Sequence, residues 1–175
     1  MSRIRLSRRK NRQKDPLARH RYWLAHAEAA ARTSPHPSVK VGAVLVDRKE
    51  REITAAPNRF ARGVDRRRKE RTREGAKSLW INCAEQIAIA EALRKRADLK
   101  GAALYLTLEP CAVCAGLIGE LRLKKVFVPA GALRRYAKLK PKWKTSIEIG
   151  LIKLAECGVS LISIDTPKQK RKKNK

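Results

Sequence analysis

Four short apolar runs, VKVGAVLVD (39–47), AALYLTL (102–108), KVFVPA (125–130) and VSLISID (159–165), alternate along the chain with stretches of helical periodicity. Runs of this length, rich in Val, Ile and Leu, read as strands, most of them too apolar to face water on one side. Strands separated by helices predict an α/β domain in which parallel strand pairs are joined through helices. The first helix spans DPLARHRYWLAHAEAAARTS (15–34), where Leu17, Tyr22, Leu24 and Ala25 recur near helical spacing behind an Asp15-Pro16 start. SPHPS breaks it, RKERE is a polar turn after the first strand, and ITAAP (53–57) returns as a hairpin partner. Further helices are expected from Asn82 to about Arg96, over EPCAVCAGLIGELR (109–122), and over TSIEIGLIKLAECG (145–158), the last closed by Gly158. Residues 58–80 are polar and Arg-rich with two glycines, and are read as one long loop.

At 175 residues the chain can bury one real core but not two. The net charge of +27 is the unusual property. Residues 1–14 hold seven Lys or Arg and no acid, and residues 166–175 hold six and no acid. They read as a disordered basic arm and a basic tail around a domain at 15–165. With those thirteen charges set aside, residues 15–165 still carry +14. Such a field attracts phosphates, from single nucleotides to nucleic acid, although a charged surface can also serve solubility alone. No run of 18 apolar residues occurs, so no membrane span is expected. The basic N-terminus lacks the apolar middle of a secretory leader, and a cytoplasmic location is expected. Four cysteines in such a chain suggest a metal or reactive thiols before disulfides.

Two helix mouths hold the chemistry. INCAEQIAIAEAL places Cys83 and Glu85 at the front of one helix, and EPCAVC places Cys111 and Cys114 at the front of another. Three thiolates suit a zinc ion, which in catalytic sites keeps its fourth position for water. The C-x-x-C spacing sets Cys111 and Cys114 about one helical turn apart, and the positive end of a helix favours thiolate. Glu85, two residues beyond a ligand, can stand beside the metal's water without binding the metal, as a proton carrier must. A closed, structural zinc site is the alternative. It would need a fourth ligand, and the remaining cysteine, Cys157, reads instead as a buried apolar residue at a helix end.

The joint pattern C-A-E and P-C-x-x-C resembles the zinc-dependent cytidine and deoxycytidylate deaminases, whose signature pairs a glutamate with such a cysteine set. The likeness extends over most of residues 16–165. SPHPSVKVGAVLV resembles the entry to the first strand of deoxycytidylate deaminases, and PNRFARGVD resembles their asparagine- and glycine-containing loop. LYLTLEPCAVCAGLI is about as similar to tRNA adenosine deaminases. The resemblance implies a three-layer α/β/α fold with a mixed five-stranded sheet. It further implies Zn2+ held by Cys83, Cys111 and Cys114, Glu85 as acid and base, and Asn58 facing the sugar. The implied reaction is hydrolytic loss of ammonia from a cytosine nucleotide, most simply dCMP to dUMP, by a homo-oligomer.

The chain also departs from the pattern. Deoxycytidylate and tRNA adenosine deaminases usually carry His where this chain has Cys83, and a third thiolate makes the site more negative unless Lys or Arg compensates. Arg59 and Ala61 stand where Gly and Pro are common. Arg62, with Arg66, Arg67 and Arg68, is a candidate for binding a 5′-phosphate. Phe60 and Trp80 are candidates for a wall against the base or for core packing. Tyr136, with Arg134 and Arg135, is a candidate for substrate or partner contact. His20, His26 and His36 lie outside the metal pattern and read as surface or satisfied histidines. A polynucleotide deaminase acting on tRNA or single-stranded DNA, or a non-catalytic basic zinc module, remains an alternative reading of the same residues.

Overall fold

The protein is described by a computed structural model over residues 15–71, 73, 76–135 and 139–166. The basic arm 1–14, tail residues 167–175 and Tyr136 lie outside the described residues. The elements in chain order begin with α1 (Ala18–Arg32), β1 (Gly42–Val46), β2 (Glu52–Pro57) and β3 (Arg59–Phe60). Next come α2 (Lys77–Trp80), β4 (Ile81–Asn82), α3 (Ala84–Arg94) and β5 (Ala103–Leu106). The chain closes with α4 (Ala112–Glu120), β6 (Lys125–Pro129), α5 (Ala132–Arg135), α6 (Pro141–Glu156) and β7 (Ser160–Ile164).

Five strands form one mixed sheet in the order β2-β1-β5-β6-β7. The β1–β2 hairpin is antiparallel, as the short turn between Val46 and Glu52 requires, and β1–β5 is antiparallel too. β5, β6 and β7 run parallel, joined through α4 and then α6. Parallel neighbours need a crossover, which is why those apolar runs are spaced by helix-length segments.

Strand alternation sorts the core into two layers. Ala43 and Leu45 of β1, Leu104 and Leu106 of β5, and Val126 and Val128 of β6 face α3, α4 and α6. Val44, Val46, Tyr105 and Phe127 face the other way, against Trp23, Leu24 and Ala27 of α1. Both faces of β1 are therefore covered, and all five of its residues are buried. This is the expected mixed sheet with helices on both faces. A Cβ on Gly42 would stand 1.9 Å from the Ala27 carbonyl oxygen, so the α1–β1 approach requires glycine there.

Three readings of the sequence are corrected. Residues 58–80 are not one irregular loop. They hold β3, a 3-10 turn at Lys69–Arg71 and the single-turn α2, with β3 paired antiparallel to β4. The helix expected from residue 145 starts at Pro141, because proline at the first helical position tolerates the missing N–H. Cys157 is exposed rather than buried. It sits beyond Leu154, the last residue of the buried stripe of α6, and its Sγ lies 2.6 Å from where a Cβ on Gly119 would be. Among the described residues, no helix is long and apolar enough to cross a membrane.

Candidate metal centre and active site

Cys83 caps α3 and Cys111 caps α4, both in extended backbone conformation, and Cys114 follows one turn into α4. The Cys83 N–H donates to Gln86 Oε1 at 3.0 Å, which fixes the mouth of α3. α4 is held from behind by α6. Ser146 Oγ accepts the Ala112 N–H at 3.2 Å, and Gly150 lets α6 lie directly on the Pro110 carbonyl. The three sulfurs consequently lie within 4.8 Å of one another.

The chemistry of this donor set fits a divalent metal. Hydrogen bonds from Cys114 and Cys83 pull the Cys111 thiol far below its ordinary pKa, helped by the backbone N–H groups of Cys114 and Val113. The same sharing with Cys111 pushes Cys83 and Cys114 strongly upward. One thiolate thus suppresses ionisation of the other two, and a cation is what lets all three shed their protons. Four-coordinate zinc would leave one position beyond these sulfurs for water. Exposed Cys157, packed at the far end of α4 and α6 beside Gly119, is not part of the cluster.

Glu85 stands on the first turn of α3 and is only 4% exposed. Burial pushes its pKa up to about 7 against its own backbone N–H, and the charge on Cys111 adds to the rise. A carboxyl poised there can both take and give a proton near neutral pH.

Cys83, Glu85 and Cys111 open onto a cavity of about 220 Å³. Val39, Val41, Leu108, Trp143 and Ile147 give it apolar walls. His36, Asn58, Asn82, Glu109, Lys140 and Lys142 supply polar groups. Asn58 is placed on the cavity wall, but its amide also works as a clamp. Its Oδ1 accepts the Val41 N–H and its Nδ2 donates to the Val39 carbonyl, each at 2.9 Å. His36 accepts the N–H groups of Val39 and Ser38 at Nδ1, at 2.9 and 3.2 Å, which places the proton of the neutral ring on Nε2. Glu109 Oε2 is buried without a hydrogen-bond partner.

Three residues singled out as candidates for substrate contact, Phe60, Arg62 and Trp80, are not brought to the cavity. Phe60 is buried opposite Ile81 in the β3–β4 ladder. Arg62 turns to Glu91 on α3 at 2.9 Å, sharing Oε1 with Arg59 at 2.8 Å. Trp80 is 40% exposed outside the cavity. Of the histidines, His20 Nδ1 lies 2.9 Å from the Tyr105 hydroxyl and His26 lies 3.3 Å from Glu52. The sequence reading missed Glu109, Lys140, Lys142 and Trp143, while His36 is the satisfied histidine expected but also lines the cavity. The proline at 141, just behind Lys140, was the available signal for the start of a helix there, and nothing local told which way its mouth faces.

A mixed five-stranded sheet in which two helix mouths gather three sulfurs over a cavity defines the zinc-dependent deaminase class. Residues 17–130 match the family model of the cytidine and deoxycytidylate deaminase zinc-binding region, and the chain belongs to that family. It is 32% identical over 114 residues to a probable deoxycytidylate deaminase of Caenorhabditis elegans, covering 63% of this chain and 57% of that protein. It is 38% identical over 94 residues to a tRNA-specific adenosine deaminase of Rickettsia bellii, covering 53% of this chain and 56% of that one. The chain thus spans little more than half the length of these curated relatives. The dCMP deaminase of cyanophage S-TIM5, solved with dCMP and dUMP, shares the fold with a TM-score of 0.65. That match has 20% identity and covers 86% of this chain and 98% of the phage chain.

Proposed function

We propose that the protein deaminates a cytosine nucleotide by hydrolysis, converting dCMP to dUMP with release of ammonia. The observation that carries this reading is the buried Glu85 lining a cavity together with Cys83 and Cys111. Cys83, Cys111 and Cys114 are the residues that would hold the zinc. When bound, zinc supplies the Lewis acidity that makes water nucleophilic near neutral pH. Glu85 takes a proton from the attacking water and delivers it to the ring nitrogen. It then passes the second proton to the departing amine, so the water oxygen becomes the carbonyl and the amine leaves as ammonia. Val41, Leu108, Trp143 and Ile147 exclude bulk water around the base.

Lys140 and Lys142 favour a nucleotide over a nucleoside. They line the cavity at the mouth of the 16-residue α6, where the helix dipole also favours an anion. The kinship with deoxycytidylate deaminases supports a cytosine base, and Asn58, on the cavity wall with one Nδ2 hydrogen given to the Val39 carbonyl, would meet the sugar through the other. The experiment is a product assay on the zinc-loaded full chain with dCMP, CMP, deoxycytidine and cytidine. The proposal expects uracil product, fastest from a monophosphate. Zinc-loaded protein that converts none of the four would overturn it.

A further inference from the structure

Residues 61–71, 73 and 76–80 belong to the excursion between β3 and β4, beside the cavity. The excursion is closed at its base by the pairs Arg59↔Asn82 and Phe60↔Ile81, and Asn82 and Ile81 themselves line the cavity. It carries eight Lys or Arg against three acids. Its own ion pairs do little to quench that excess. Arg67 and Arg68 share Asp65 at 3.3 and 3.7 Å, with side chains 91% and 60% exposed, where such pairs are weak. At the end nearest the cavity, Leu79 is 84% and Trp80 40% exposed. The Arg71 guanidinium lies 4.4 Å above the Trp80 ring and is anchored by a 2.8 Å bond to the Asp65 carbonyl.

A cationic segment that presents an indole under a guanidinium is poorly suited to a duplex, whose base faces are already stacked. It suits a ligand with both free π-faces and regularly spaced phosphates. An acidic protein would match the charge but would have no use for the stacked pair. We propose that this excursion is a binding surface for single-stranded polynucleotide. In it Trp80 with Arg71 forms a base-stacking platform, and Arg66, Arg67 and Arg68 contact phosphates. The inference concerns binding and does not depend on which base the cavity deaminates.

The test is fluorescence anisotropy of labelled single-stranded DNA, single-stranded RNA and duplex DNA across a salt series. It uses the whole chain carrying Glu85→Gln, so that turnover is largely suppressed. Trp80→Ala is expected to weaken single-strand binding roughly tenfold and leave the salt dependence unchanged. The triple variant Arg66→Ser, Arg67→Ser, Arg68→Ser is expected to lower the slope of log K against log salt by about 2. The RNA and DNA arms separate a reader of the 2′-hydroxyl from one of backbone and stacking alone, and both results support the surface. Trp80→Phe keeps a stacking face and should retain most of the affinity, which distinguishes stacking from damage to the rim. Unchanged affinity and slope in the variants would overturn the proposal by leaving all binding to the basic ends. Equal loss of single-strand and duplex binding in Trp80→Ala would also overturn it.

Discussion

A Cβ on Gly150 would stand 2.4 Å from the Pro110 carbonyl oxygen, so α6 rests directly on the turn that presents Cys111. The metal helix is thus seated on a backbone contact rather than on a side chain that could move aside. Gly150→Ala is expected to destabilise the protein by about 1–3 kcal/mol, the usual effect of forcing atoms into a packed contact. It should also weaken zinc binding, because the displaced residue is joined to a ligand. Gly116→Ala is the control. Its Cβ would meet nothing nearer than Lys153 Nζ at 3.8 Å, so helix propensity should make it neutral or stabilising by up to about 1 kcal/mol. Thermal melts and zinc titrations of the two variants check both outcomes.

Glu85→Gln keeps the shape of a buried side chain while removing its capacity to carry protons. Turnover is expected to fall roughly 10²–10⁴-fold, with zinc content and melting temperature close to wild type. Retained activity would leave the carboxylate without the role assigned to it.

Stripping the metal should loosen the joint between α3 and α4, whose first turns share the three sulfurs. A chelator is expected to lower the melting temperature and zinc to restore it, with a stabilisation of about 2.7 kcal/mol at a hundred-fold excess over Kd. Acid should release the metal, because the thiolates must be deprotonated to bind it. Identical melting with and without zinc would contradict this.

Glu91 offers a test by pH. Partial burial raises its pKa, but the hydrogen bonds from Arg62 and Arg59 outweigh that and hold it below the ordinary value. A carboxylate with a depressed folded pKa stabilises the protein fully above its unfolded pKa of about 4.3, and that contribution is lost as pH falls through the folded value. Glu91→Gln should therefore be less stable than wild type by about 1 kcal/mol near pH 7. The difference should shrink below roughly pH 4. Denaturation curves over that range measure it.

The parts of this account legible in the sequence are those written into neighbouring residues. The C-A-E and P-C-x-x-C groups follow strands and begin helices, and helix geometry sets Cys111 and Cys114 one turn apart on α4. The alternation of apolar runs with helices likewise carries the sheet order only as far as the parallel pairs. The rest depends on distance in three dimensions. Lys140, Lys142 and Trp143 reach the cavity because α6 packs on α4, a contact no local pattern reveals. Arg62 lies close to Asn58 in sequence, but Glu91 on α3 draws it away from the cavity. Cys157 misled through composition: a cysteine in an apolar run reads as core, yet its helix turns it outward at the cap.

Zinc K-edge absorption of the loaded wild-type protein tests the centre most directly. Three sulfur neighbours at about 2.3 Å and one lighter oxygen or nitrogen neighbour are expected. A zinc ion surrounded by four sulfurs, or by fewer than three, would contradict an open site built from Cys83, Cys111 and Cys114.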